Sequence, residues 1–231
     1  MKALDIIAPV CIAVSLIVIL LCTSIILPTF SVSFYMNEYK KYSLSERIAV
    51  SNDDLLTVTK NLQRYMRGAD PALDAEVYVR GVMRKFFNAK EISHMEDVKG
   101  LFDAGFTYLW AAVAVFAVSF AYTVKKKLYY MMFKYVAVGI GVFFMVSAAL
   151  AAVCALNFDR TFVLFHEIFF NNDLWLLDPT TDLLVNLVPL EFFMDIARTI
   201  ILIFFGSMAA VCIFCAGSAA KLKKRRLNAK A

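Results

Sequence analysis

The sequence predicts an all-α integral membrane protein, with four transmembrane helices capped by a small extracytoplasmic α(+β) domain. Three observations carry this expectation. Apolar residues make up 61% of the 231 residues, well above the roughly 45–50% of a soluble domain. Four apolar runs reach the ~20 residues that a bilayer core requires: Ile6–Phe30, Gly105–Val124, Tyr135–Leu156 and Phe192–Gly217. Charge is unevenly shared among the segments between them.

Lys and Arg near the membrane ends set the orientation. The connection after the second run carries Lys125, Lys126, Lys127 and Lys134. The last segment carries Lys221, Lys223, Lys224, Arg225, Arg226 and Lys230 and no acid. With Lys2, these segments are expected in the cytoplasm. Ser31–Asp103 balances eleven basic against eleven acidic residues, and Asn157–Glu191 sets one Arg against six acids. Both are expected outside. The expected organisation is a first helix over 1–30 with a cytoplasmic N-terminus, an extracytoplasmic domain over 31–104, and a second helix over 105–124. A cytoplasmic loop over 125–134, a third helix over 135–156 and an interfacial outer segment over 157–191 follow. The fourth helix takes 192–217 and a basic cytoplasmic tail 218–231. The net charge of +5 thus reports topology. A basic tail beside a membrane helix meets anionic lipid more simply than nucleic acid.

The first run is long and lacks a small-residue cleavage site, so it reads as a retained anchor. Pro28 marks its outer end. Ser31–Leu44 is rich in Tyr (Tyr35, Tyr39, Tyr42), which suits a membrane interface. Ser51-Asn52-Asp53-Asp54 precedes Leu55, Val58, Leu62 and Tyr65, with Gly68 after. That is the pattern of a short amphipathic helix with an N-cap cluster and a glycine stop. Glu76–Arg80 and Val82–Phe87 flank Arg80-Gly81; this β-rich pair fits a hairpin, and a helix also fits. Asn88 with Glu91 three residues on has the form of a capping pair. The helix it starts is expected to run past Gly105 into the second span.

In the third span, Gly139, Gly141, Ala148, Ala149, Ala151, Ala152 and Ala155 let helices approach closely in lipid. Phe162, Phe165, Phe169 and Phe170 surround His166, as on a helix lying in the interface with a lipid-facing side. Trp175 fits the same depth. Asp178-Pro179 and Thr180-Thr181-Asp182 form a turn. Asp195 and Arg198 open the fourth span on one helix face, where a structural ion pair is the simplest reading.

The five cysteines (Cys11, Cys22, Cys154, Cys212, Cys215) all fall in apolar spans, which leaves no disulfide framework and no outer thiolate nucleophile. His166-Glu167 is not followed by a second His at H-E-x-x-H spacing, and there is no Gly-rich phosphate loop and no G-x-S-x-G elbow. Two outer histidines remain. His94 shares a helix face with Glu91 and Asp97, three residues away on either side. An imidazole can take and return a proton near neutral pH. A solvated, carboxylate-paired His94 and a His166 that reaches to headgroups account for the spacing equally well.

Glu91-Ile-Ser-His94-Met-Glu-Asp97-Val98-Lys99 resembles the E-x-x-H-M-x-D-V-K segment of bacterial lipoprotein intramolecular transacylases. Phe165-His166 through Trp175, Asp178, Asp182, Pro189 and Phe192-Phe193 resembles a second block of the same family. The N-terminal anchor, the Tyr-rich segment and the helix before Tyr65 are similar too. The resemblance implies an acyltransferase in the bacterial cell membrane whose partners are membrane lipid and the diacylglyceryl-modified N-terminal Cys of a lipoprotein. The sn-2 acyl chain would move to the α-amino group and leave a lyso-form lipoprotein, with the active site on the outer side and both termini cytoplasmic. His94 and His166 would be catalytic, with Glu91, Asp97, Trp175, Asp178 and Asp182 supporting or orienting them. No cofactor, metal or nucleic acid enters this expectation. His166 is assigned the base role, and His94, oriented by Glu91 or Asp97, the oxyanion donor or proton return; the two roles are exchangeable at this level. The competing readings are a non-enzymatic scaffold or pH sensor that binds a partner, and a metal-dependent lipid hydrolase using both His with Asp97 or Asp173.

Overall fold

The computed structural model describes residues 2–229; Lys230 of the basic tail lies outside them. The elements are α1 (Leu4–Thr29), α2 (Val32–Lys41), α3 (Leu44–Ile48), α4 (Asn52–Met66), β1 (Glu76–Val79), β2 (Val82–Lys85) and α5 (Ala89–Lys125). They continue with α6 (Tyr129–Leu156), α7 (Phe158–Phe169), α8 (Leu184–Leu187) and α9 (Leu190–Asn228). Helices α1, α5, α6 and α9 are long and apolar enough to cross a membrane, so the chain is a multi-pass membrane protein. As expected, α5 runs from the Asn88 cap through Gly105. Helix α9 continues to Asn228, so the basic tail is helical that far.

The chain forms two compact units. The first comprises residues 1–24, 106–158 and 200–231. Its core joins Ile12 and Ala13 of α1, Met132, Val136 and Ile140 of α6, and Phe204, Met208 and Cys215 of α9. Both glycines of α6 lie close to a neighbouring helix. A Cβ added at Gly139 would come 3.1 Å from the Ala13 methyl, and one at Gly141 would meet Cys212 Sγ at 3.7 Å. Ala149, Ala152 and Ala155 face outward.

The second unit comprises residues 25–105 and 159–199. Within it α4 follows its sequence signals. Ser51 Oγ accepts from Asp54 N at 3.1 Å, and Leu55, Val58, Leu62 and Met66 are buried. At the far end Gly68 has φ +70°, and N–H groups of Gly68 and Ala69 reach back to the carbonyls of Tyr65 and Arg64, both at 2.9 Å. That is a Schellman stop, which needs a residue at ease with positive φ. The 76–87 stretch is a hairpin. Val79 pairs with Val82 across Arg80 and Gly81, both at positive φ, the pattern of a two-residue type I′ loop. β1 buries Val77 and Val79 and exposes Tyr78.

The structure corrects the reading of the Tyr-rich segment. Tyr35 and Tyr39 on α2 are 5% and 1% exposed and belong to the core of this unit. Their rings pack against Phe192 with centroids 5.0 and 5.9 Å away, and the Tyr39 hydroxyl bonds Thr59 Oγ1 at 3.0 Å. The two tyrosines lie four apart on one face of a helix, which turns them together toward α4 and α9. Tyr42 hydrogen-bonds Asp195 at 2.5 Å. Asp195 also accepts from Lys41 and from Arg198 Nη1 at 3.2 Å, so the expected Asp195–Arg198 pair extends to α2.

Gly139→Leu should lower the thermal unfolding midpoint in detergent, by about 1–3 kcal/mol of overpacking against α1. Gly141→Ala, which adds an ordinary van der Waals contact, should leave the midpoint within error. Equal midpoints for Gly139→Leu and wild type would show that α1 and α6 are not held at this separation.

Candidate active site

His94 and His166 lie within the second unit, and the fold brings their rings together, with centroids 6.2 Å apart and planes inclined by 33°. They are 7% and 6% exposed. Helix α5 supplies His94 from its second turn, and α7 supplies His166 as its one buried side chain. The Phe cluster divides around it. Phe162 and Phe170 pack on the His166 ring with centroids 4.3 and 5.6 Å away, and Phe170 also meets His94 edge-on at 5.2 Å. Phe165 and Phe169 are exposed with Leu164 and Ile168, which gives α7 an apolar outer face. Trp175 stacks on His166 at 4.7 Å and 27°.

The chain sets the tautomer of His166. Its Nδ1 lies 2.7 Å from the Phe162 carbonyl oxygen. A carbonyl can only accept, so Nδ1 carries the proton and Nε2 keeps its lone pair. Burial lowers the pKa of His166, against the pull of that backbone bond. Burial also lowers His94, to about 4, with help from His166 and opposition from Asp97. Both rings are therefore neutral at pH 7. The pair offers one free imidazole base and, from the other ring, one neutral N–H donor. His94 Nδ1 is buried with no hydrogen-bond partner among the described residues.

Glu91 makes no hydrogen bond to His94. Its carboxylate, in a side chain 1% exposed, accepts from Asn88 N at 2.6 Å and from Leu184 N at 2.5 Å. Asn88 Oδ1 in turn accepts from Glu91 N at 3.0 Å. The reciprocal capping pair expected from sequence is present, and it explains the correction: a carboxylate that caps its own helix start turns back toward it, away from the next turn. Burial raises the Glu91 pKa, against the N–H groups that favour its anion. Asp97 makes no hydrogen bond to His94 either. Its Oδ2 accepts from Asn172 Nδ2 at 2.9 Å, and it acts on His94 through charge alone.

Asp178 and Asp182 frame the site from a distance. Asp182 accepts from Asn88 Nδ2 and from Asp178 N, both at 2.8 Å. Burial would raise Asp182, but the Asp178 N–H, the Asn88 amide and the Thr181 hydroxyl hold its pKa below the ordinary value. The Asp178 carboxylate accepts from Thr180 N at 2.8 Å and from the Thr180 hydroxyl at 2.7 Å, and these bonds lower it. The two acids thus lock the 178–182 turn and fasten it to the start of α5, nearly two turns before His94. Lys90 adds a bond from Nζ to the Leu176 carbonyl at 2.5 Å. Asn172 was missed by sequence reasoning; its one signal was an Asn-Asn-Asp run of turn-forming type. Among the described residues no three His, Cys, Asp or Glu side chains converge as metal ligands, so neither Asp97 nor Asp173 completes the set that the metal-hydrolase reading requires.

A family model described as lipoprotein intramolecular transacylase Lit matches residues 10–193. The fold matches the in meso structure of the membrane integral Lit from Bacillus cereus with a TM-score of 0.75 at 22% identity, covering 98% of this chain and 100% of that one. A histidine-to-alanine mutant of the same protein matches with a TM-score of 0.72 at 22% identity over 96% of each chain. A histidine-to-arginine mutant matches at 0.69 and 21%, over 97% of this chain and 94% of the other. At these identities the likeness is one of fold. No protein of curated function matches the sequence.

The depressed His94 pKa has a stability consequence with a definite sign. Below pH 6.5 the unfolded histidine takes a proton that the folded one refuses until about pH 4, so stability falls as pH drops through that window. The full shift corresponds to roughly 3 kcal/mol. Between pH 7 and 4, the unfolding midpoint of wild type should therefore fall further than that of His94→Leu. Parallel falls in the two proteins would contradict a neutral buried ring.

Proposed function

The chain belongs to the lipoprotein intramolecular transacylase family, and from that membership we infer that it moves the sn-2 acyl chain of an S-diacylglyceryl-cysteine to that cysteine's α-amino group. The product is a lyso-form lipoprotein with an N-acyl Cys and a free glycerol hydroxyl. The observation that carries the chemical reading is the His94–His166 pair, in which the Phe162 carbonyl leaves Nε2 of His166 free as a base. A scaffold or pH sensor remains the alternative class, and family membership speaks against it.

Amine and ester belong to one molecule and close a ring of about eight atoms, so covalent tethering meets much of the entropic cost of the reaction. A free α-amino group has a pKa near 8 and must shed a proton before it attacks. His166 Nε2 receives that proton. The nitrogen then adds to the ester carbonyl carbon, and the carbonyl oxygen gains negative charge. A neutral His94 N–H, buried beside it, donates to that oxygen without desolvating a charge of its own. As the carbon–oxygen bond to glycerol breaks, the His166 imidazolium gives its proton to the departing oxygen, and Nε2 takes the second proton of the nitrogen. That proton then passes to water, so the change from ammonium to amide and free hydroxyl releases one proton in all and returns His166 to its neutral form. No acyl-enzyme forms, in keeping with an outer surface that lacks a thiol nucleophile. Trp175 and Phe170 hold the two rings, and the apolar outer face of α7 is the side on which acyl chains enter.

The charge distribution supports the same placement. Lys125, Lys126, Lys127, Lys134 and the basic end of α9 lie in the cytoplasm of a bacterial cell, and the histidine pair lies on the opposite, extracytoplasmic side. That is the side on which a lipid-anchored lipoprotein terminus is displayed.

His94→Ala and His166→Ala should each reduce lyso-form lipoprotein by about a hundredfold or more, the usual scale of general acid–base catalysis. Mass spectrometry of the lipoprotein N-terminal peptide reads this directly. Full activity in either single variant would remove that residue from the mechanism.

A further inference from the structure

Asn172 follows the last turn of α7 and carries two bonds in opposite directions. Its Nδ2 donates to Asp97 Oδ2 at 2.9 Å, and its Oδ1 accepts from Leu174 N at 3.0 Å. Asp97 lies three residues beyond His94 on α5, so the first bond anchors one turn away from that ring. Leu174 immediately precedes Trp175, which stacks on His166. The second bond sets the backbone from which the indole projects. Both partners sit in the second unit, and the Asp97–Asn172 link spans 75 positions of sequence.

We propose that Asn172 is a positioning residue of the transacylase reaction: it clips the Trp175 segment to α5, holding the indole over His166 while keeping the Asp97 carboxylate occupied. This rests on the transacylase reading with His166 as base. An amide is suited to the position because the two bonds ask for opposite polarity. Asp97 needs a donor and Leu174 N needs an acceptor, and an Asn side chain offers both. An Asp at 172 would keep the second bond and set two carboxylates against each other at the first. An Ala would lose both, leaving the indole to wander and the Asp97 charge free to turn toward His94.

The consequence is functional as well as structural. Trp175 covers one face of His166 and so limits the orientations available to the ring whose Nε2 takes the proton. Losing a charge-assisted bond of this kind is worth about tenfold in an equilibrium or rate, and the loss should fall on turnover because Asn172 bonds Asp97 and Leu174, within the protein itself.

The test uses the full-length protein in a Trp110→Phe background, which leaves Trp175 as the only tryptophan. In Asn172→Ala, Trp175 fluorescence should become more accessible to acrylamide. Turnover to lyso-form lipoprotein should fall about tenfold in kcat, with KM within twofold. Asp97→Ala should give a similar loss, and the double variant no more than either alone. Asn172→Asp should be impaired, and pairing it with Asp97→Asn should restore turnover, because the exchange rebuilds the bond with donor and acceptor reversed. Full turnover or unchanged quenching in Asn172→Ala overturns the inference, as does a paired exchange that recovers nothing. A His166→Ala control separates the two levels. If that variant keeps its activity, the catalytic reading fails, while the acrylamide result still judges the Asn172–Trp175 link.

Discussion

The site depends first on the buried carboxylate of Glu91. It is enclosed almost completely, and it takes N–H bonds from its own helix start and from Leu184, 93 positions along the chain. A buried anion is costly unless such bonds meet it. Because they do, the start of α5 and the start of α8 cannot separate without exposing an unsatisfied charge. Asn88 and Asp182 repeat the tie one bond further out. His94 lies one turn above this knot and inherits its rigidity.

The second constraint is apolar. His166 is wedged among Phe162, Phe170 and Trp175, and His94 shares the Phe170 ring with it. Burial holds both imidazoles neutral where water would leave a fraction charged. The same burial that costs stability in acid therefore keeps the pair ready for proton transfer at neutral pH. One backbone carbonyl then chooses the tautomer. The arrangement divides labour by environment: α7 presents His166 inward and an apolar face outward, while the turn from Asp178 to Asp182 gives the polar bonds that hold the assembly closed.

Much of the fold was legible because it rests on short-range rules. The Ser51 cap and Gly68 stop of α4, the Arg80-Gly81 turn and the Asn88–Glu91 pair each involve residues within a few positions of one another. The readings that needed correction were those in which a local pattern was given a distant meaning. Tyr35 and Tyr39 matched an interface composition, yet they pack on Phe192 and Thr59. Glu91 shares a helix face with His94, yet its capping geometry turns it the other way.

By itself the sequence determined four spans, their flanking charges, the helix starts and stops, and the presence of two histidines in the polar segments. Those features follow from periodicity, from the hydrophobic cost of exposing side chains, and from backbone preferences of individual residues. Only the tertiary structure decided that the two rings meet, that Phe162 fixes the proton on one of them, and that Asn172 joins Asp97 to the Trp175 segment. Each of those contacts, apart from the Phe162 bond, closes a loop of tens of residues. No spacing rule reaches that far, because loop closure is directed by the summed packing of the whole unit. The Phe162 bond spans only four positions, but its geometry depends on how the ring is wedged by Phe170 and Trp175, and so it too was decided in three dimensions.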